Sequence, residues 1–233
     1  MIVTIPTSWE DISVEQYCEL QQYELNTKII FDLLLHFKGV KIKIDTESFD
    51  KLIIVLSILL KVEESFIESL NVKNLNEILL KLKWITPLKA KQSTIDFNKI
   101  TVGKFVDLET IIENGLNNNF IKFTDKMFDV QTWDMPITKV YSEVTEYLNW
   151  RKNLFKNFEG LFENTEEEDL QDVGIGSKEL QVSTFNRKWN WFGFIHRLAN
   201  GDIFKMEDVS EINIIFAFNF LSYEKEKTFI KQN

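Results

Sequence analysis

The sequence predicts a mainly α-helical protein, a multi-helix bundle with at most a few short strands or extended arms. Three observations carry this reading. Apolar residues recur at i, i+3, i+4 and i+7 along most of the 233 residues. Eight glycines and three prolines are few for the length, which leaves little turn chemistry for a sandwich or barrel. The only Asn-Gly pairs, Asn114-Gly115 and Asn200-Gly201, follow helical patterns instead of joining alternating strands.

Residues 1–8 read as an extended arm. Ser13-Val-Glu-Gln16 matches the capping box, in which the serine accepts from the N3 amide and the N3 side chain reaches back. It opens a helix over about 13–24. A second helix covers Thr27 to Lys38, with Ile30, Leu33, Leu34 and Phe37 on one face and Gly39 as terminator. Residues 40–45, VKIKID, alternate and suit a short strand or an extended linker. Glu47 to Lys61 is apolar enough to be buried on several sides. Glu63 to Leu70 and Asn74 to Lys83 are shorter helices, closed by Thr86-Pro87.

Residues 89–99 are polar and extended. Thr101 caps a helix over 102–113 that aligns Phe105, Leu108 and Ile112, and Gly115 ends it. Another helix covers Asn119 to Asp129. The longest candidate runs from Thr138 to Phe162. The acidic stretch 163–177, ENTEEEDLQDVGIGS, reads as a linker. An aromatic helix follows from Lys178 to Ala199, stopped by Asn200-Gly201. Met206 to Val209 is a single turn, and a last helix spans Ile212 to about Ile230. Short strands have room only in 1–8, 40–45 and 93–100. The composition shifts divide the chain into an N-terminal helical region (1–87), a middle helical region (88–162), the linker (163–177) and a C-terminal aromatic helical region (178–233).

Composition narrows the function classes. With 44% hydrophobic and 13% aromatic residues the chain is too apolar to be disordered throughout. The single cysteine, Cys18, rules out an intrachain disulfide and a cysteine-based zinc site. The opening MIVTIPTSWEDI has neither a basic n-region nor an apolar h-region, so a cytoplasmic product without signal peptide is expected. The longest apolar stretch, Leu52 to Leu60, is interrupted by Ser57 and is too short to span a bilayer. The net charge of −9 opposes nonspecific binding to polyphosphate.

Motifs for chemistry are weak. His36 and His196 have no second histidine at i+4, and no HExxH exists. Asp45-Thr46-Glu47 and Glu166 to Asp169 lack the glycine and terminal glutamate of a calcium loop. Thr101-Val102-Gly103-Lys104 has Phe105 where a phosphate loop needs Ser or Thr, and reads as helix entry. Gly174-Ile175-Gly176 reads as a hinge. There is no GxSxG, and Cys18 has no histidine nearby in sequence. No catalytic residue, metal ligand or cofactor site is therefore expected. Lys81, Lys83, Lys89 and Lys91 around Trp84 could bind a single strand by charge and stacking. A solvated helix end is the plainer reading of that strip, and a local basic patch facing DNA on an acidic body the sharper one.

The aromatic residues carry the sharper signal. Trp189, Trp191, Phe192, Phe194, Phe216, Phe218 and Phe220 crowd the last 45 residues. Trp189, Phe192 and His196 share one helical face, while Trp191 and Phe194 lie on others. A helix apolar nearly all round must be covered all round. It is either a core helix or a protein–protein interface, where such residues are enriched. Trp9, Trp189, Trp191, Phe192 and Phe216 are the candidate interaction residues.

Two stretches carry a family resemblance. The opening Trp9-Glu-Asp-Ile12-Ser13-Val-Glu-Gln16-Tyr17 resembles the W-x-x-I-[ST]-x-x-Q-[FY] start of structural and tail-assembly proteins of Bacteroidetes-infecting tailed phages, including crAss-like phages. The end, Trp189-Asn-Trp191-Phe192 with Leu198-Ala-Asn-Gly-Asp202-Ile and Leu221-Ser-Tyr223-Glu-Lys-Glu-Lys227, is similar to the closing pattern of the same group. They lie at 9–17 and within 189–227; the middle carries no such likeness. The resemblance implies a non-enzymatic virion protein, a head–tail connector or tail-ring subunit in a homo-oligomeric ring, with other phage structural proteins as partners and weak proximity to packaged DNA. A tail-assembly chaperone that binds the tape-measure protein is the alternative within the group. A small intracellular enzyme or nucleic-acid-associated regulator is the alternative outside it.

Overall fold

The computed structural model describes residues 3–23, 46–86, 88–161 and 191–232. Among them the chain is helical, with no strand; the only ladder-type pairings are two isolated bridges, Ser13 to Pro136 and Thr101 to Asn213. The sequence expectations for Thr27–Lys38, 40–45, 163–177 and most of Lys178–Ala199 lie outside the described residues. Within them, the strand options at 3–8 and 93–100 are not taken: the second becomes a 3-10 turn at Phe97–Lys99. The chain forms two compact units, each drawn from two stretches. The first is residues 1–93 with 117–145, and the second is 94–116 with 146–233. The middle region of the sequence division, 88–162, is thus shared between them.

The first unit contains α1 (Val14–Gln22), α2 (Thr46–Leu60), α3 (Glu64–Glu68), α4 (Val72–Lys81), α5 (Phe120–Phe128) and the start of α6 (Ile137–Asn157). The expected capping box is present. Ser13 Oγ accepts from the Gln16 amide, and Gln16 Oε1 accepts from the Ser13 amide, both at 3.2 Å. The buried Gln16 also donates through Nε2 to the Ile58 carbonyl at 2.8 Å. One side chain therefore satisfies the start of α1 and the end of α2, where backbone groups lack intrahelical partners. Leu52, Val55, Leu56 and Leu59 of α2 are buried, as its apolar run requires.

An indole pair closes the same unit. Trp9 Nε1 donates to the Thr86 carbonyl and Trp84 Nε1 to the Pro6 carbonyl, each at 2.8 Å. The two rings meet edge to face at 5.4 Å, a favoured aromatic geometry. The polar strand-like stretch after Trp84 is tied down by α6: Lys91 N donates to Ser142 Oγ at 2.9 Å, and Ser93 Oγ donates to the buried Glu143.

The second unit contains the rest of α6, α7 (Val102–Glu113), helical residues 191–198, α8 (Met206–Ser210) and α9 (Ile214–Gln232). Thr101 caps α7 by accepting from the Lys104 amide, so the Gly-Lys pair is helix entry. The helix α6 stops at Asn157, five residues short of the expected Phe162, and a 3-10 turn at Glu159–Leu161 carries Gly160. Val102 N donates to the Ile212 carbonyl at 2.8 Å and Ile214 N to the Ile100 carbonyl at 3.0 Å. These bonds set the start of α9 beside the start of α7. Phe105 is fully buried and meets Trp150, Trp191 and Phe218 edge to face.

Candidate functional site

Among the described residues, polar groups come together around Glu109, Glu10 and Asp125, among other places. In the second unit Glu109 is fully buried on α7. It receives two hydrogen bonds from Arg151 of α6, Nε and Nη2 each at 2.6 Å, and one from Tyr147 Oη at 3.2 Å. Burial, then the Glu109 charge, pushes the Tyr147 phenol far up, so it stays protonated as donor. Burial works against the Arg151 charge, but the Glu109 carboxylate outweighs it and raises the guanidinium pKa. The cluster is an ion pair between Glu109 and Arg151 with the Tyr147 hydroxyl as a third donor.

In the first unit, Glu10 accepts from Lys91 Nζ and Thr138 Oγ1, both at 2.7 Å. These hydrogen bonds, Lys91 first, hold the Glu10 carboxyl below its ordinary value. Asp125 accepts from the Thr132 amide at 2.6 Å and its hydroxyl at 2.8 Å, which fixes the turn after α5. Burial, with Glu15 and Glu19 adding, pushes the Cys18 thiol up to about 11, the opposite of an activated nucleophile. Among the described residues no group of three or more His, Cys, Asp and Glu side chains is placed to hold a metal ion, and no helix is long and apolar enough to cross a membrane. Trp84, within the lysine strip, is half-buried, meets Trp9 edge to face and donates its indole N–H to Pro6.

The distinctive feature is the surface of α9. Asn213 Oδ1 accepts from the Ile215 and Phe216 amides and so caps its start. From there the helix carries two apolar stripes on opposite faces. Ile214, Ala217, Phe218 and Leu221 repeat at i, i+3, i+4 and i+7 and are buried in the second unit. Phe218 meets Phe158 at 5.3 Å and Phe194 at 5.6 Å. The opposite stripe is Phe216, Phe220, Tyr223 and Ile230, with exposures of 64%, 44%, 58% and 75%. Lys227 reaches back along it: its Nζ lies 5.5 Å from the Tyr223 ring centre and 3.5 Å from Glu224 Oε1. Ile203 and Phe204, in the turn before α8, are also exposed.

The structure spreads the five candidate interaction residues over different environments. Trp9 is buried and spends its indole N–H on Thr86. Trp191 packs on Phe105 and donates to Glu113 Oε1 at 2.9 Å, so it is directed into its own unit. Phe192 is half exposed and stacked on His196 with ring centres 6.2 Å apart. Phe216 heads the open stripe. Trp189 lies outside the described residues. Phe220, Tyr223 and Ile230 are not among the five, although the interval pattern 216, 220, 223, 230 against 214, 217, 218, 221 is readable from sequence.

Set against known protein families, curated proteins and solved structures, the chain matches none.

Proposed function

We propose that the chain is a non-enzymatic structural subunit of a bacteriophage head–tail connector or tail ring, and that it joins neighbouring subunits by burying helix faces. The observation that carries this reading is the second apolar stripe of α9. Three aromatic rings and an isoleucine stand in water on a helix whose other face is already packed. Single exposed apolar residues are ordinary on a protein surface, but a continuous helical row of them marks an interaction site. The sequence resemblance to phage structural and tail-assembly proteins supplies the setting.

A closed ring uses heterologous contacts, so the stripe would meet a different patch on its neighbour. The experiment is mass spectrometry of purified particles, with quantification against the major capsid protein. The expected result is the chain in mature particles at a fixed ratio. Its presence in assembling cells bound to the tape-measure protein, but absence from mature particles, would assign the chaperone role instead. Absence from both would overturn the virion reading.

A further inference from the structure

The α9 stripe is self-complementary about Tyr223, and we infer that in the free protein it is covered by a second copy of the same stripe, two α9 helices running antiparallel across a two-fold axis at Tyr223. This rests on reading the stripe as an assembly face and names its occupant before neighbours take it over. Phe216 and Ile230 lie seven residues either side of Tyr223, about 10.5 Å along the axis in each direction. Antiparallel pairing therefore sets Phe216 of one copy against Ile230 of the other, and Tyr223 against its twin. Phe220 and Lys227 lie three residues before and four after Tyr223. The same pairing brings the ammonium of one copy to the Phe220 ring of the other, an attractive cation–ring contact.

Charge and area agree with this occupant. Within the stripe Glu224 and Lys227 already neutralise one another, so two copies can approach there despite the net charge of −9 on each. From the exposures above, the four side chains offer about 500 Å² per copy, hence about 1,000 Å² for the pair. That is the lower edge for a specific interface, so the pair is weak and exchangeable, as a subunit awaiting assembly requires.

Cysteine cross-linking of the full chain tests the geometry, in a Cys18→Ser background. Disulfide formation needs Cα atoms about 4.4–6.8 Å apart, so it reads register closely. Under mild oxidation Tyr223→Cys is expected to give a band of twice the chain mass, and Phe216→Cys alone is not. Mixing Phe216→Cys with Ile230→Cys copies should restore the band, which also controls for the loss of the tyrosine ring. Each variant is exposed at its site, and circular dichroism verifies that it keeps its helices. No band from either Tyr223→Cys or the mixture, or an equal band from Phe216→Cys alone, would overturn the two-fold pairing. That failure is separable from failure of the functional reading. A chain found in particles but never cross-linked at Tyr223 loses only the pairing, while a chain cross-linked at Tyr223 but absent from particles and assembling cells loses only the virion role.

Discussion

Glu109 shows what a single misplaced charge would cost this protein. Its carboxylate is fully buried and is held by Arg151 through two parallel hydrogen bonds. Removing one partner of such a pair leaves the other charged and unpaired, at a cost of about 3–5 kcal/mol, whereas replacing both by apolar residues is often neutral. Arg151→Met is therefore expected to lower unfolding free energy by about 3 kcal/mol, and Glu109→Leu with Tyr147→Phe and Arg151→Met, which also removes the hydroxyl that Glu109 accepts from, to recover most of it. Urea denaturation of the two variants checks this; equal losses would show that the Arg151 stem, not its charge, is what matters. Glu10 gives a pH prediction with a definite sign. Its folded pKa lies below the ordinary 4.5, because Lys91 and Thr138 bind the ionised form. The unfolded chain then takes up the proton first as pH falls. The stabilisation is complete above about 4.5 and is lost as pH drops through the lower folded value. Glu10→Gln should lower the neutral plateau of a curve of urea midpoint against pH and flatten its acid limb, and an acid limb unchanged by the substitution would contradict this. The signals for these contacts were absent from the sequence, since Glu109 and Arg151 are 42 residues apart and no spacing rule connects them.

Helix starts were far more legible than helix ends. Ser13-x-x-Gln16 and Thr101 announce α1 and α7 by local hydrogen-bonding chemistry, and both caps form as expected. The sequence places the end of α6 too late, because Phe158 and Leu161 continue the apolar pattern past Asn157, where the helix gives way to a 3-10 turn. Two glycine predictions of opposite sign test the same backbone reasoning. Lys61 follows α2 at φ 52°, a left-handed position that favours glycine. Lys61→Gly should raise stability by up to about 1 kcal/mol, read as a higher urea midpoint. Gly103 lies on α7 where an added Cβ would come within 3.1 Å of Ser210 Cβ and 3.2 Å of its carbonyl oxygen. Gly103→Ala therefore loses about 1–2 kcal/mol, despite the better helix propensity of alanine, because the backbone of α8 must move. A midpoint raised by Gly103→Ala would mean that α8 yields freely.

For the whole molecule, the fold class was written in the periodicity and the scarcity of turn residues, and the helical architecture follows it. The division into units was not. Each unit combines two separated stretches, and composition shifts along a chain cannot report which distant segments pack together. The aromatic excess of the last 45 residues was visible, but not its partition. Phe105, Phe218, Trp191 and Trp150 close a core of their own, while Phe216, Phe220, Tyr223 and Ile230 stay in water. Only the opposed stripes of α9 separate the two groups. The decisive comparison is the sedimentation mass of the wild-type full chain and of the Phe216→Asp, Phe220→Asp double variant across the micromolar range, with a thermal melt of each. If the stripe exists to meet other subunits, the wild type rises above 27.6 kDa with concentration, and the variant stays at that mass and melts at the wild-type temperature. A wild type that remains a single 27.6 kDa species, or a variant that no longer folds, would contradict it.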